Sequence, residues 1–86
     1  MLFRSPPELL QLEASYSLQA RRRRLEGTVV YNVYVTTTGN ITEVILIISS
    51  GYNILDEAAS VAVQSASYKP GTVDGFVEVS VTYVLT

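Results

Sequence analysis

Eighty-six residues with a formal net charge of −2, 48% hydrophobic and 16% charged, suffice for one modest core and are too apolar for a disordered chain. The chain has no cysteine and no histidine, which removes disulfides, thiol chemistry and the commonest general base and metal ligand. The acidic balance argues against a generic nucleic-acid binder, although four of the six basic residues are packed into Arg21-Arg22-Arg23-Arg24. No stretch approaches the roughly 18 consecutive apolar residues of a membrane span. The start, Met1-Leu2-Phe3-Arg4-Ser5-Pro6-Pro7, lacks the apolar middle of a signal peptide. The expectation is a cytoplasmic protein or a segment of a longer one.

In chain order, Pro6-Pro7 followed by Glu8 suits the start of a helix, because the positive end of its dipole favours a carboxylate. Leu9, Leu12, Tyr16 and Ala20 share one face at steps of three or four residues. The spacing predicts one helix from about 8 to 23, or two short ones broken near Tyr16. The arginine run then reads as the solvated end of that helix, where cations complement the dipole. A nucleic-acid patch and a membrane-surface signal are the other readings.

Val29, Tyr31, Val33 and Val35 recur at every second residue, as do Val44, Leu46 and Ile48, with Thr37-Thr38-Gly39-Asn40 between the runs. This is a β-hairpin, since glycine and asparagine tolerate the positive φ of a tight connection. Ser49-Ser50-Gly51-Tyr52-Asn53 is a turn cluster, and Asn53 is the expected N-cap of a second helix with Asp56 and Glu57 in its first turn. Leu55, Ala58, Ala59, Ala62, Val63 and Ala66 form its apolar stripe, and Lys69-Pro70-Gly71 ends it. Residues 76–84 alternate cleanly, with Val77, Val79, Val81 and Tyr83 on one face and Glu78, Ser80 and Thr82 on the other.

The expected fold is α+β and two-layered: a three-stranded antiparallel/mixed sheet in order 2-1-3, with two helices on one face. Leu46 and Ala59 are expected to be buried between sheet and helix, and the last strand to lie at an edge. Such an edge presents unpaired amides and carbonyls that an extended peptide can satisfy.

Tyr16, Ala20-Arg21, Glu26-Gly27, Gly39, Ser49-Ser50-Gly51, Leu55-Asp56, Ala58-Ala59 and Tyr68-Lys69-Pro70 stand in an order and spacing that resembles the C-terminal domain of the TonB family, over about residues 6 to 86. Two positions depart from the pattern: Ser17 where the family usually has proline, and Ala66 where it often has tryptophan. The resemblance implies a single domain over 1–86, with an N-terminal helical segment 6–24 and a β-β-α-β core 25–86. It implies a periplasmic domain of a single-pass inner-membrane protein whose anchor and proline-rich spacer lie outside these residues. It further implies ExbB/ExbD-type motor partners and capture of the TonB box of outer-membrane receptors, for uptake of cargo such as iron–siderophore or haem. The implied partner-binding residues are Tyr16 and Arg21, with Val77, Glu78, Val79, Ser80, Val81, Thr82 and Tyr83 of the receptor-binding strand.

The residues offer little for catalysis. Asp56 and Glu57 are adjacent on a helix and diverge by about 100°, and Ser49-Ser50-Gly51 has no histidine to activate a serine. No enzymatic role, cofactor or metal is expected. The alternative function is a small nucleic-acid-binding module using residues 21–24 with base stacking on Tyr31 and Tyr34. A homodimer through the last strand is a further possibility.

Overall fold

The computed structural model describes residues 4–85; residues 1–3 and 86 of the expected domain lie outside it. The elements are β1 (Glu8–Gln11), α1 (Leu18–Arg22), β2 (Gly27–Val35), β3 (Ile41–Ile48), α2 (Asn53–Ser65), β4 (Ser67–Lys69) and β5 (Gly75–Tyr83). The main sheet has the order β3-β2-β5, with β2 antiparallel to both neighbours. This is the expected 2-1-3 arrangement. Val29, Tyr31, Val33 and Val35 of β2 and Val77, Val79, Val81 and Tyr83 of β5 are all buried, as their alternation requires. Leu55, Ala59 and Val63 of α2 cover them, and Ala20 of α1 joins the same cluster. Ala59 is fully buried, and small side chains on this stripe let the helix lie close to the sheet.

The β2–β3 connection is built around Gly39, at φ +85°. The Gly39 amide donates to the Thr36 carbonyl and the Thr36 amide to the Asn40 carbonyl, each at 2.9 Å. Positive φ at this closing position is the reason for glycine.

Four expectations are corrected. Residues 8–11 are a strand and not a helix: Glu8 pairs with Lys69 and Leu9 with Tyr68 in a separate antiparallel ribbon of β1 and β4. Pro6-Pro7 holds this arm extended, and the Ser5 carbonyl accepts from the Thr72 amide at 2.9 Å. The arm lies so close to Gly71 that a Cβ there would sit 2.0 Å from the Ser5 oxygen. Only residues 18–22 of the expected first helix are helical, and Ser17 begins them by accepting from the Ala20 amide at 3.1 Å. Ser17 is therefore the N-cap of α1.

Second, α2 stops at Ser65, and residues 67–69 leave it to pair with β1. Third, Tyr52 occupies the N-cap of α2, and Asn53 is its first helical residue. Fourth, Leu46 is 45% exposed, because β3 is an edge strand that α2 covers incompletely.

The arginine run straddles the end of α1. The Leu25 amide bonds the Ala20 carbonyl and the Arg24 amide the Arg21 carbonyl, each at 3.0 Å, with buried Leu25 and Ala20 forming the accompanying apolar pair. This is a Schellman motif, whose left-handed position normally takes glycine. Here Arg24 holds it at φ +56°. Replacing Arg24 with glycine should relieve that backbone and stabilise the fold by about 1 kcal/mol, read as a rise in Tm.

Candidate functional site

The main sheet has two open edges, those of β3 and β5. They differ in regularity. β5 pairs with β2 at nine consecutive positions without a break, from Gly27↔Tyr83 to Val35↔Gly75. The β2–β3 ladder shifts twice, between Val30 and Tyr31 and between Tyr34 and Val35. Each shift leaves one β3 residue, Ile47 and Thr42, without an opposite number. Bulges of this kind bend a strand and interrupt its outer edge.

The turn fixes which backbone groups of β5 are free. Thr36 directs its amide to β3, so even-numbered residues of β2 bond toward β3 and odd-numbered ones toward β5. The register then assigns Val77, Val79, Val81 and Tyr83 to the ladder with β2. Phe76, Glu78, Ser80 and Thr82 direct their amides and carbonyls to the open edge. Their side chains are exposed on the face away from the helices. The side chains of the odd-numbered residues belong to the core; the edge itself is backbone.

Tyr16 and Arg21 meet at the C-terminal end of this strand. The Tyr16 ring packs edge-on against Tyr83 at 5.1 Å between centroids, and its hydroxyl donates to the Leu25 carbonyl. The Arg21 guanidinium lies over the same ring, 5.3 Å from its centroid. Tyr16, Arg21, Val84 and Leu85 line a cleft of about 170 Å³. Thus two residues that precede the hairpin in sequence stand beside the last strand in space.

Tyr83 was expected here as a strand residue, but its hydroxyl has no sequence signal. It is buried and finds no hydrogen-bond partner among the described residues, and burial raises its pKa, with Tyr31 adding a smaller push in the same direction. Tyr31 and Tyr68, by contrast, donate to the carbonyls of Asp56 and Val63 at 2.8 and 2.7 Å. Tyr83→Phe should therefore cost nothing or stabilise slightly, by up to about 1 kcal/mol, since it removes an unsatisfied buried group and keeps the ring; a thermal melt reads it.

The pair proposed for base stacking does not form one platform. Tyr31 is buried on the helix face, whereas Tyr34 lies on the opposite face, edge-on to Phe76 at 4.8 Å. Asp56 is likewise committed to structure. It is buried and accepts from the Ser49 hydroxyl at 2.5 Å, the Ser50 hydroxyl at 2.7 Å and the Ser50 amide at 2.9 Å. Burial would raise its pKa, but these donors outweigh burial and hold the carboxyl below its ordinary range. Gly27 is needed because a Cβ would lie 2.9 Å from that of Ser50, and Gly51 because its φ is +93°.

Comparison with known proteins agrees with this arrangement. Residues 13–86 match the model of the family described as Gram-negative bacterial TonB protein C-terminal. The chain is similar to protein TonB of Vibrio cholerae, 35% identical over 65 residues, covering 76% of this chain and 27% of that protein. It is similar to protein tonB2 of Pseudomonas aeruginosa, 37% identical over 75 residues, covering 81% of this chain and 28% of that protein. It thus spans little more than a quarter of the curated relatives it matches. Its fold matches the solution NMR structure of the Pseudomonas aeruginosa TonB CTD with a TM-score of 0.75 at 16% identity, covering 95% of this chain and 94% of that one. The chain belongs to the family of TonB protein C-terminal domains.

Proposed function

We propose that this domain is the receptor-binding end of a TonB-like energy transducer. It captures the TonB box of outer-membrane receptors as an added strand on β5, in the periplasm, and transmits work that an ExbB/ExbD-type motor draws from the proton-motive force through an inner-membrane anchor upstream. The role is non-enzymatic: binding and pulling. The observation that carries the reading is the unbroken β5 edge, whose outward backbone groups belong to Phe76, Glu78, Ser80 and Thr82 while Tyr16 and Arg21 stand at its end. Main-chain pairing supplies affinity and the flanking side chains supply selectivity. Ordering a flexible peptide is entropically costly, which suits a device that must let go.

An NMR titration with a receptor-derived peptide tests it. The amides of Phe76, Glu78, Ser80 and Thr82 should gain exchange protection, in alternation with those already bonded to β2. Protection gained at Val44 and Leu46 would move the site to β3, and a response to single-stranded oligonucleotide alone would favour nucleic acid.

The arginines act on encounter. Arg22 and Arg23 are exposed, so their neutralisation should change stability by less than about 0.5 kcal/mol. It should slow association with an acidic partner at low salt and have little effect at high salt, as measured by stopped-flow.

A further inference from the structure

The face of the main sheet away from the helices has a composition at odds with a surface left to water. The register sets its rows across β3, β2 and β5: Glu43, Tyr34 and Phe76 stand side by side, then Ile45, Asn32 and Glu78, then Ile48, Val30 and Ser80. The solvated face of an antiparallel sheet is ordinarily polar. Here Ile45, Phe76 and Ile48 are exposed at 42, 47 and 55%, and Phe76 stands edge-on to Tyr34 in the first row.

The charges on this face have one sign. β2, β3 and β5 contain no lysine or arginine, and their only charged residues are Glu43 and Glu78. Both are exposed, and neither has a hydrogen-bond or ion-pair partner among the described residues. They stand at opposite corners of the first two rows, with Phe76 and Ile45 at the other corners and Tyr34 and Asn32 between. Two strand spacings of roughly 4.8 Å and a two-residue offset of roughly 6.8 Å put the two glutamate Cα atoms about 12 Å apart. Arg21 to Arg24 precede the opposite end of β2 and stand apart from this platform.

We propose that this face docks an amphipathic helix of a partner protein, whose apolar side carries two basic residues about two turns apart. A helix rises 1.5 Å per residue, so about 12 Å corresponds to roughly seven or eight residues, a spacing that keeps both cations on one side. Apolar residues three and four positions after the first cation then fall between the two, over Tyr34 and between Phe76 and Ile45. The helix would add a third layer, opposite α1 and α2. Charge selects this occupant. An acidic segment or an anionic lipid surface meets two unpaired carboxylates of its own sign, and so does the same face of another copy. The platform is built from side chains, whereas the open edge of β5 is backbone, so the proposal does not rest on strand capture.

The test is an NMR titration of the 86-residue chain with a synthetic helical peptide containing Lys-x-x-Leu-Leu-x-x-Lys, in which x is alanine or glutamine. Shifts should concentrate at Tyr34, Ile45 and Phe76. A peptide with glutamate in place of both lysines, and a scrambled peptide of the same composition, should each bind at least about tenfold more weakly. Ile45→Ser should weaken the lysine peptide at least about fivefold, and the double variant Glu43→Lys/Glu78→Lys should reverse the preference in favour of the glutamate peptide. Circular dichroism checks that the variants are folded, and the two control peptides read the parent itself. No binding of the lysine peptide at millimolar concentration overturns the proposal, as do shifts confined to residues 21–24 or to the β5 edge. Equal binding of the scrambled or glutamate peptide overturns it too, as does a preference that the double variant leaves unchanged. If zwitterionic phospholipid vesicles, or self-association of the chain, cover the same three residues, the face belongs to that occupant and the proposal falls. Capture of a receptor-derived peptide on β5 is read separately, so either reading can fail without the other.

Discussion

Asp56→Ala is expected to cost roughly 2–4 kcal/mol. The carboxylate closes the β3–α2 turn by accepting from both serines of Ser49-Ser50. Removing it leaves the part-buried Ser50 amide without its acceptor and takes three bonds from the turn, although the Ser50 hydroxyl can still donate to the Tyr52 carbonyl at 3.2 Å. For a domain of this size, each kcal/mol shifts Tm by about 4–8 °C, so a thermal melt resolves the change. The same group sets an acid limb. Its folded pKa lies below the unfolded value of 3.8, so its contribution is fully present above that value. As pH falls, the unfolded chain takes up the proton first, and the contribution is lost progressively down through the folded pKa. Asp56→Asn should lower stability at neutral pH and flatten the dependence below about pH 4. An unchanged acid limb in Asp56→Asn would assign that limb to other carboxylates.

Asp56 also shows why the family motifs were readable while their purposes were not. Ser49-Ser50-Gly51, Leu55-Asp56 and Glu26-Gly27 belong to one local assembly: Asp56 ties the serines, Gly51 turns the chain, and Gly27 makes room for Ser50. Tyr68 of Tyr68-Lys69-Pro70 donates to the last turn of α2 through Val63. These residues identify the fold by holding it together. None of them lies on the open edge of β5.

The central strand β2 and the last strand β5 were legible because each buries one face under helices, so alternation and burial coincide. In β3 the same alternation misled. Val44, Leu46 and Ile48 recur at the strand period, yet Leu46 and Ile48 are exposed, since an edge strand extends past its helix and a bulge resets its phase. Residues 8–16 misled differently. Leu9, Leu12 and Tyr16 fit a helical face, but the ribbon with β4 and the fit of Ser5 and Pro6 against Gly71 decide the conformation. Those partners lie some sixty residues away in sequence, beyond any local periodicity. Pro6-Pro7 was the available signal for an extended arm. The apposition of Tyr16, Arg21 and Tyr83 likewise follows from topology: the chain must return past the end of β5 to enter β2.

Ser80→Pro and Thr82→Pro are expected to abolish most peptide capture while leaving the domain folded. Both residues direct their amides to the open edge, so neither substitution removes a bond to β2, and proline is tolerated on edge strands in that phase. Each removes one donor and leaves a carbonyl of the added strand unpaired, at a cost of about 1–3 kcal/mol, or roughly five- to 150-fold in affinity. Ser80→Ala and Thr82→Ala keep the amide and lose only an exposed side chain; they should bind within about twofold of the parent, the change expected of a near-neutral surface residue. That contrast separates main-chain pairing from side-chain contact. It also controls for the Thr28–Thr82 hydroxyl contact at 3.2 Å, which both Thr82 variants lose. Titration calorimetry with a receptor-derived peptide, on variants whose circular dichroism matches the parent, reads the result. If both folded proline variants bind like the parent, the added strand does not lie on β5; if the alanine variants lose binding as severely, side chains and not the backbone ladder hold the peptide.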